Sequence, residues 1–441
     1  MRLRARCAAL LFCLGLAVPA FSAPPPAAPP PAVAEPAAEA VAPKVTEYRL
    51  PADKLRKAEG LYRTRTVLYV GETAYGIILL LLLLRLKIAS RYRALAERAS
   101  RRRFVQALVF VPLLMLTMDF LSLPLSLYGH GLSVEYGLSV QRWGSWFGDW
   151  AKGELMGLIV STLLVWGLYA ILRRCPRRWW LYGWAAMVPV IVFFIFITPV
   201  VIDPMFNTFE SLEARRPVLV EQIERVVARG GMTIPRSRMY EMAASEKVTT
   251  YNAYVTGLGA SKRVVVWDNT SRDLTIPQTL FVFGHEMGHY VLNHIWKLVG
   301  FSILGLLVCL FLAHLSLGAM LARWGEAWGV RDLADWASLP ALFLVFSLFG
   351  LLTQPISAGL SRHFEHQADI YGLEVLHGLV PDSSQAAAGA FQKLGEKGLA
   401  YPDPNPFFVA WTYDHPPLKD RVKFAAEYQP WSEGKATVYI K

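Results

Sequence analysis

Thr275-Ile276-Pro277-Gln278-Thr279-Leu280-Phe281-Val282-Phe283-Gly284-His285-Glu286-Met287-Gly288-His289-Tyr290-Val291 is the stretch from which the rest of the chain can be read. Leu280, Phe283, Met287 and Val291 recur at helical spacing, Thr275 with Gln278 forms a capping box, and Pro277 falls in the first turn, where its missing N–H costs nothing. On the helix this predicts, His285 and His289 project from one face, four residues apart. They can grip a single metal ion while Glu286 reaches a water on that ion, the arrangement of a zinc hydrolase. Two core or solvated histidines on an amphipathic helix would give the same spacing, and a third ligand from elsewhere in the chain separates the two cases.

The 441 residues are 54% hydrophobic with a mean hydropathy of +0.33, too apolar for an ordinary soluble chain. Six apolar runs, at 66–88, 104–127, 153–172, 179–200, 298–322 and 338–360, each approach the ~20 residues needed to cross a bilayer. The class is therefore a mainly α-helical polytopic membrane protein. A net charge of +11 would suggest a nucleic-acid partner in a soluble chain. Here the arginines lie in short clusters beside apolar runs, so membrane lipid is the expected partner and nucleic acid is not. The four cysteines, Cys7, Cys13, Cys175 and Cys309, make neither a disulfide framework nor a cysteine zinc site, which leaves histidine and carboxylate to hold a metal.

Arg2, Arg4 and Arg6 precede an apolar run from Ala8 to Ala20 and then Ser22 and Ala23, the layout of a signal peptide with Ala20-Phe21-Ser22 as its cleavage site. An uncleaved anchor is the alternative, and either one exports the segment C-terminal to it. The expected organisation is a signal peptide or anchor (1–23), a Pro/Ala-rich linker and juxtamembrane segment (24–60) and a four-helix transmembrane region (61–202). A metalloprotease domain (203–297), two further transmembrane helices (298–360) and the C-terminal part of the catalytic domain (361–441) complete it.

Arg85, Lys87, Arg91, Arg93, Arg98 and Arg101-Arg102-Arg103 crowd the first short loop, and Arg173, Arg174, Arg177 and Arg178 crowd the third. The opposing loop at 128–152 carries only Arg142 and Lys152. Basic short loops stay in the cytoplasm, so 128–152, 203–297 and 361–441 are expected outside it. Within 203–297 a helical pattern covers 218–227, with a turn at Gly230-Gly231. Tyr251 to Val255, a Gly257/Gly259 turn and Arg263 to Asp268 read as a hairpin. A strand just before a metal helix can take substrate backbone as an added strand, although an ordinary hairpin in a small domain looks the same.

After the sixth run come Ser361-Arg362-His363-Phe364-Glu365-His366-Gln367-Ala368-Asp369. Glu365 and Asp369 are four apart, so one can bind metal while the other orients a ligand histidine. His363 and His366 lie on other faces and read as interfacial polar residues. Glu72, Asp119 and His314 fall inside apolar runs and are assigned no site.

These residues resemble the type I CAAX prenyl endopeptidases, integral-membrane zinc metallopeptidases, and their bacterial homologues. The resemblance is carried by Tyr136-Gly137-Leu138-Ser139 with Trp146, Asp149 and Lys152; by Pro204-Met205-Phe206-Asn207; by Asn252-Ala253-Tyr254 with Ser261-Lys262-Arg263; by His285 to His289; by Ser361-Arg362 through Glu365 and Asp369; and by His415-Pro416-Pro417-Leu418 with Arg421. It implies a ring of transmembrane helices around a water-filled chamber, capped by a small α+β zinc-peptidase domain. It further implies one Zn2+ per chain on His285, His289 and Glu365, with Glu286 as general base and Asp369 as the partner that orients a ligand. Asn252, with Ala253 and Tyr254, would bind substrate, and His415 with Arg421 would stabilise the transition state. From the residues alone, His415 is a constrained donor for an oxyanion, held between Asp414 and two prolines, or else a surface turn residue.

The eukaryotic members act on cytosolic-face substrates, whereas the basic loops here place the site outside the cytoplasm, so prenylated substrates do not follow from the resemblance. The expectation is a multi-pass zinc metalloendopeptidase of the bacterial inner membrane with a periplasmic active site, cleaving peptides or unfolded segments. An envelope quality-control protease of the same chemistry is one alternative. A catalytically silent transporter or scaffold is another, against which the intact Glu286 speaks.

Overall fold

The computed structural model describes residues 44–257 and 262–440; the expected leader, the linker up to Pro43, Gly259 and Ser261 lie outside the described residues. The chain opens with helix α1 (Ala52–Arg85) and a left-handed turn at Lys87 (φ 56°) that leads into α2 (Ile88–Ala99). Then come α3 (Arg103–Glu135), α4 (Trp143–Arg174) and α5 (Trp179–Ile197), the last continued by a π-helical turn and a short helix to Phe206. The basic stretch expected as a loop is thus largely the helix α2. Ala89 and Ala96 are buried on one face, with Arg93 between them turned to Asp335, while Arg91 and Arg98 take the exposed face.

A small domain comes next, built from α6 (Pro217–Arg229), a four-stranded sheet and the metal-motif helix α7 (Ile276–Val291). The strands are β1 (Phe209–Ser211), β2 (Met239–Met242), β3 (Ala253–Thr256) and β4 (Arg263–Trp267), in the order β1-β2-β4-β3. β3 and β4 form the expected antiparallel hairpin, whereas β2 runs parallel to β4. This leaves β3 at an edge. Two long helices, α8 (His294–Trp328) and α9 (Leu339–Leu376), return to the far end and back. The chain then closes with α10 (Ser383–Gly398), α11 (Pro406–Thr412) and α12 (Leu418–Glu427).

Among the described residues, helices α1, α3, α4, α5, α8 and α9 are the six that are long and apolar enough to cross a membrane, and they match the six expected spans. Pro112, Pro124, Pro189 and Pro355 lie within them, as membrane helices tolerate when neighbours re-satisfy the freed carbonyls. At one end, Ser139 bridges to Val248 and Val140 N–H donates to Lys247 O at 2.9 Å, joining the α3–α4 loop to the small domain. Val45 N–H donates to Gln385 Oε1 at 2.7 Å and Tyr48 O–H to Ala400 O at 2.8 Å, which brings the first described residues to the same end. At the opposite end Arg93 pairs with Asp335, and Arg331 with Glu97 at 2.8 Å, tying α2 to the α8–α9 loop. The basic loops and the metal motif are therefore at opposite ends of the helices.

The core of the small domain includes Phe281, Phe283 and Met287 of α7, Tyr371, Leu373 and Val375 of α9, and Phe391 of α10. Close approach of α7 to α9 depends on glycine. A Cβ on Gly284 would lie 2.9 Å from Leu376 Cδ1, and one on Gly372 would lie 3.1 Å from the His285 backbone nitrogen. With hydrogen there instead, the two helices sit nearly backbone to backbone.

Candidate active site

Helix α7 begins as its sequence requires. Thr275 Oγ1 accepts from Gln278 N–H, the Gln278 side chain accepts from Thr275 N–H, and Pro277 occupies the first turn. Two turns further on, the same face presents His285 and His289, while α9 brings in Glu365. His285 Nε2 lies 3.1 Å from His289 Nε2 and 3.3 Å from Glu365 Oε2, and His289 Nε2 lies 3.3 Å from Glu365 Oε1. Tetrahedral zinc with bonds of about 2.05 Å holds its donors about 3.3 Å apart, so these three residues fit such an ion. Two ring nitrogens face each other across the centre, and Glu365 Oε2 is buried without a hydrogen-bond donor. A cation would satisfy all three.

The surroundings fix the ligand atoms. His285 Nδ1–H donates to Asp369 Oδ1 at 2.8 Å, leaving Nε2 as the lone-pair atom toward the cluster. Asp369 is 1% exposed and is gripped by Arg421 through Nε at 2.9 Å and Nη2 at 2.6 Å. Burial works against charge on the His285 ring, but Glu365 and Asp369 outweigh it and draw its pKa up to about 10. The same negative potential favours a metal cation. Burial also raises the Glu286 carboxyl above its usual range, against the pull of His285 and His289.

His415 approaches from the opposite direction, its Nε2 3.3 Å from Glu365 Oε2 and its Nδ1 2.8 Å from Asp414 Oδ1. The side chain is about half exposed; partial desolvation lowers the affinity of this ring for a proton, yet the Asp414 hydrogen bond and the Glu365 charge leave its pKa raised. It is thus a ready donor. Arg421 stands one step behind, with both engaged donors on Asp369 and Nη2 3.6 Å from Glu365 Oε2.

Asn252 is exposed at the head of edge strand β3. Its backbone is held both ways by Thr270, whose Oγ1 accepts from Asn252 N–H and donates to Asn252 O, each at 2.8 Å. Asn252 O also accepts from Trp267 N–H at 3.1 Å. By antiparallel alternation, Ala253 and Val255 then turn their backbone groups to the open edge. The Ala253 methyl is buried in the core, and Tyr254 packs on the other face of the sheet near Val265 and Trp267. At that edge the Ala253 N–H already donates to Asn252 Oδ1 at 2.8 Å, so what this strand offers a ligand is the Ala253 carbonyl, the Val255 backbone and the Asn252 amide N–H groups.

His363 and His366 are exposed, the first near Gln367 and the second against Phe424, and neither belongs to the three-residue cluster. His314 accepts from Trp179 Nε1–H at 3.1 Å within the helices. One residue escaped the sequence patterns. His294, at the first position of α8, is 1% exposed, with Nδ1 3.1 Å from His289 Nδ1 and Nε2 2.9 Å from Gln367 Oε1.

A histidine pair and an adjacent glutamate on one helix, completed by a glutamate from a second helix on a six-span scaffold, define a membrane metallopeptidase. Residues 213–429 match the model for peptidase family M48, and residues 36–208 match that for the CAAX prenyl protease N-terminal region, described by five membrane helices. The chain belongs to peptidase family M48. It is 33% identical to the uncharacterized metalloprotease YhfN of Bacillus subtilis, over 84% of this chain and 85% of that one. Identity to CAAX prenyl protease 1 of Saccharomyces cerevisiae is 27%, over 72% of this chain and 71% of that one. The crystal structure of S. mikatae Ste24p superposes with a TM-score of 0.74 at 23% identity, covering 86% of this chain and 90% of that one, which establishes a shared fold. Membership makes the protein a multi-pass membrane metalloprotease acting on peptide substrates, and it implies a metal ion.

Proposed function

We propose that the protein is a zinc endopeptidase in which His285, His289 and Glu365 hold one ion per chain and Glu286 is the general base. The convergence of the three donor groups within 4.8 Å, from two helices, carries this assignment. A zinc ion held there would lower the pKa of a bound water and polarise the scissile carbonyl. Glu286 accepts the proton of the attacking water and passes it to the leaving amine. His415 donates to the oxyanion that develops on the carbonyl, and Arg421 holds Asp369, which holds His285. A peptide lies along β3, its backbone meeting the open edge and the Asn252 side chain.

Zinc analysis of the purified protein, with hydrolysis of an unstructured peptide before and after chelation, tests the assignment. Hydrolysis is lost on chelation and restored by zinc. Glu286→Gln retains zinc and loses turnover, and substantial turnover by this variant would remove Glu286 as the base.

The site is assigned to the periplasmic side of a bacterial inner membrane, because both arginine blocks lie at the opposite end of the helices and basic short loops remain in the cytoplasm. Exported peptides or unfolded envelope segments are then the substrates, rather than prenylated cytosolic ones. Single cysteines at the exposed positions Arg101 and Ser432, in a chain lacking its native cysteines, report the orientation. An impermeant thiol reagent should label position 432 and spare 101 in cells with a permeabilised outer membrane. The reverse pattern moves the site to the cytoplasmic face.

A further inference from the structure

Helix α7 stops at Val291, and an ideal continuation would carry residue 294 about 140° around the axis from His289, away from the metal face. The chain does not continue that way. Asn293 adopts a left-handed conformation (φ 58°, ψ 30°), and the break turns His294 back onto His289 as α8 begins. The His294 ring stacks on Phe364, with centroids 4.5 Å apart and planes 12° apart, and Phe364 directly precedes Glu365. One buried histidine therefore touches both helices that carry the cluster.

The hydrogen bonds around it run in one direction. The Gln367 amide nitrogen faces His363 Nε2 at 3.3 Å, so Gln367 Oε1 is the acceptor that faces His294 Nε2 at 2.9 Å. A neutral ring whose Nε2 donates has a lone pair on Nδ1. That atom, 3.1 Å from His289 Nδ1, can only accept, so the His289 proton sits on Nδ1 and its Nε2 lone pair points at the cluster. His285 is set the same way by Asp369. The two candidate ligand histidines thus have unlike partners, a charged carboxylate for one and a neutral ring for the other.

Taking His289 as a metal ligand, the reading proposed for this site, we infer that His294 is the positioning residue for His289, fixing its tautomer and ring angle from a neutral relay anchored on Gln367. A neutral partner suits this place. A second carboxylate beside His289 would add negative charge to a cluster that already contains Glu365, Asp369 and Glu286.

The test measures zinc affinity of the full-length protein in detergent, by competition with a chromogenic chelator, alongside melting of the metal-free protein. His294→Phe keeps an aromatic ring against Phe364 and removes the acceptor. His294→Asn places an amide oxygen near the position of Nδ1 and restores it. Zinc binding should weaken about 10- to 100-fold in the Phe variant, the range for lost partners of metal-bound histidines, with metal-free melting unchanged. The Asn variant should recover most of the affinity. Wild-type affinity in His294→Phe, or an Asn variant as weak as the Phe variant, overturns the inference while leaving the ligand set intact. If His294→Phe does not fold, His294→Asn and Gln367→Leu decide: near wild-type affinity in the first with a several-fold loss in the second supports it, and a full loss in the first overturns it. His289→Ala is the control for the ligand set. Wild-type zinc binding in that variant would overturn both assignments.

Discussion

Replacing Gly372 with alanine should loosen the proposed metal site without replacing any residue in it. The added Cβ would stand 3.1 Å from the His285 backbone nitrogen, 3.3 Å from its Cα and 3.1 Å from Phe281 Cε2. Unstrained contacts between such atoms need about 3.5–4.0 Å, so α7 and α9 must separate by roughly half an ångström. Two of the three obstructing atoms are backbone of a buried helix, and no rotamer change relieves them. Overpacking of this kind costs about 1–3 kcal/mol. Glu365 rides on the same helix as Gly372, two turns earlier, and sound metal sites keep ligand distances within about 0.2 Å. Part of the strain must therefore appear in the spacing of His285, His289 and Glu365. The expected result is zinc affinity at least tenfold weaker, tenfold being about 1.4 kcal/mol, together with a lower melting temperature of the metal-free protein. Gly300→Ala, whose Cβ would have no neighbour within 4 Å, is the control. A Gly372→Ala variant that binds zinc and melts as wild type would refute the idea that this contact sets the ligand geometry.

Glu365→Ala should strip zinc as His285→Ala does, while His363→Ala and His366→Ala keep it; metal analysis showing the reverse would mean that the ligand set is wrong. His415→Ala should slow turnover by roughly 10²- to 10³-fold with little change in KM, as for a lost oxyanion donor, and an unaltered kcat would return it to a surface role. Glu374, 1% exposed on α9, accepts from Tyr428 O–H and from the backbone N–H groups of Val438, Tyr439 and Ile440. Glu374→Gln should weaken this docking by about 1.5–3 kcal/mol, visible as faster amide hydrogen exchange at Val438, Tyr439 and Ile440; unchanged exchange would show that other contacts hold them.

Much of this architecture is written locally. The capping box at Thr275 and Gln278, the apolar spacing of α7 and the six long apolar runs each depend on residues within one element, and each appears where its pattern places it. The sides of the scaffold follow from counting spans, and the bridge from Ser139 to Val248 agrees. The features that escaped detection need two elements at once. His294 lies five residues past His289, off its face, and only the left-handed Asn293 returns it. Gly284 and Gly372 are unremarkable until α7 and α9 are known to touch. The parallel pairing of β2 with β4 joins strands of four and five residues, too short for alternation to register. Arg421 could be placed near the site by resemblance, but its grip on Asp369 belongs to the folded molecule.

Helix α9 runs without interruption from Leu339 to Leu376, so Glu365 is fixed in height relative to the apolar segment of the same rod. Ile356, 71% exposed, is its last strongly exposed large apolar side chain. From there to Glu365 is nine residues, a climb of about 14 Å at 1.5 Å per residue. An extended peptide covers that distance in about four residues. With Ile356 taken to face lipid and the Glu365 cluster as the proposed catalytic centre, the helix acts as a ruler: a chain anchored in surrounding lipid presents to that centre a bond at least about four residues from its anchor. A bond nearer its greasy end is reached only if that end leaves the lipid and travels up among the helices with it.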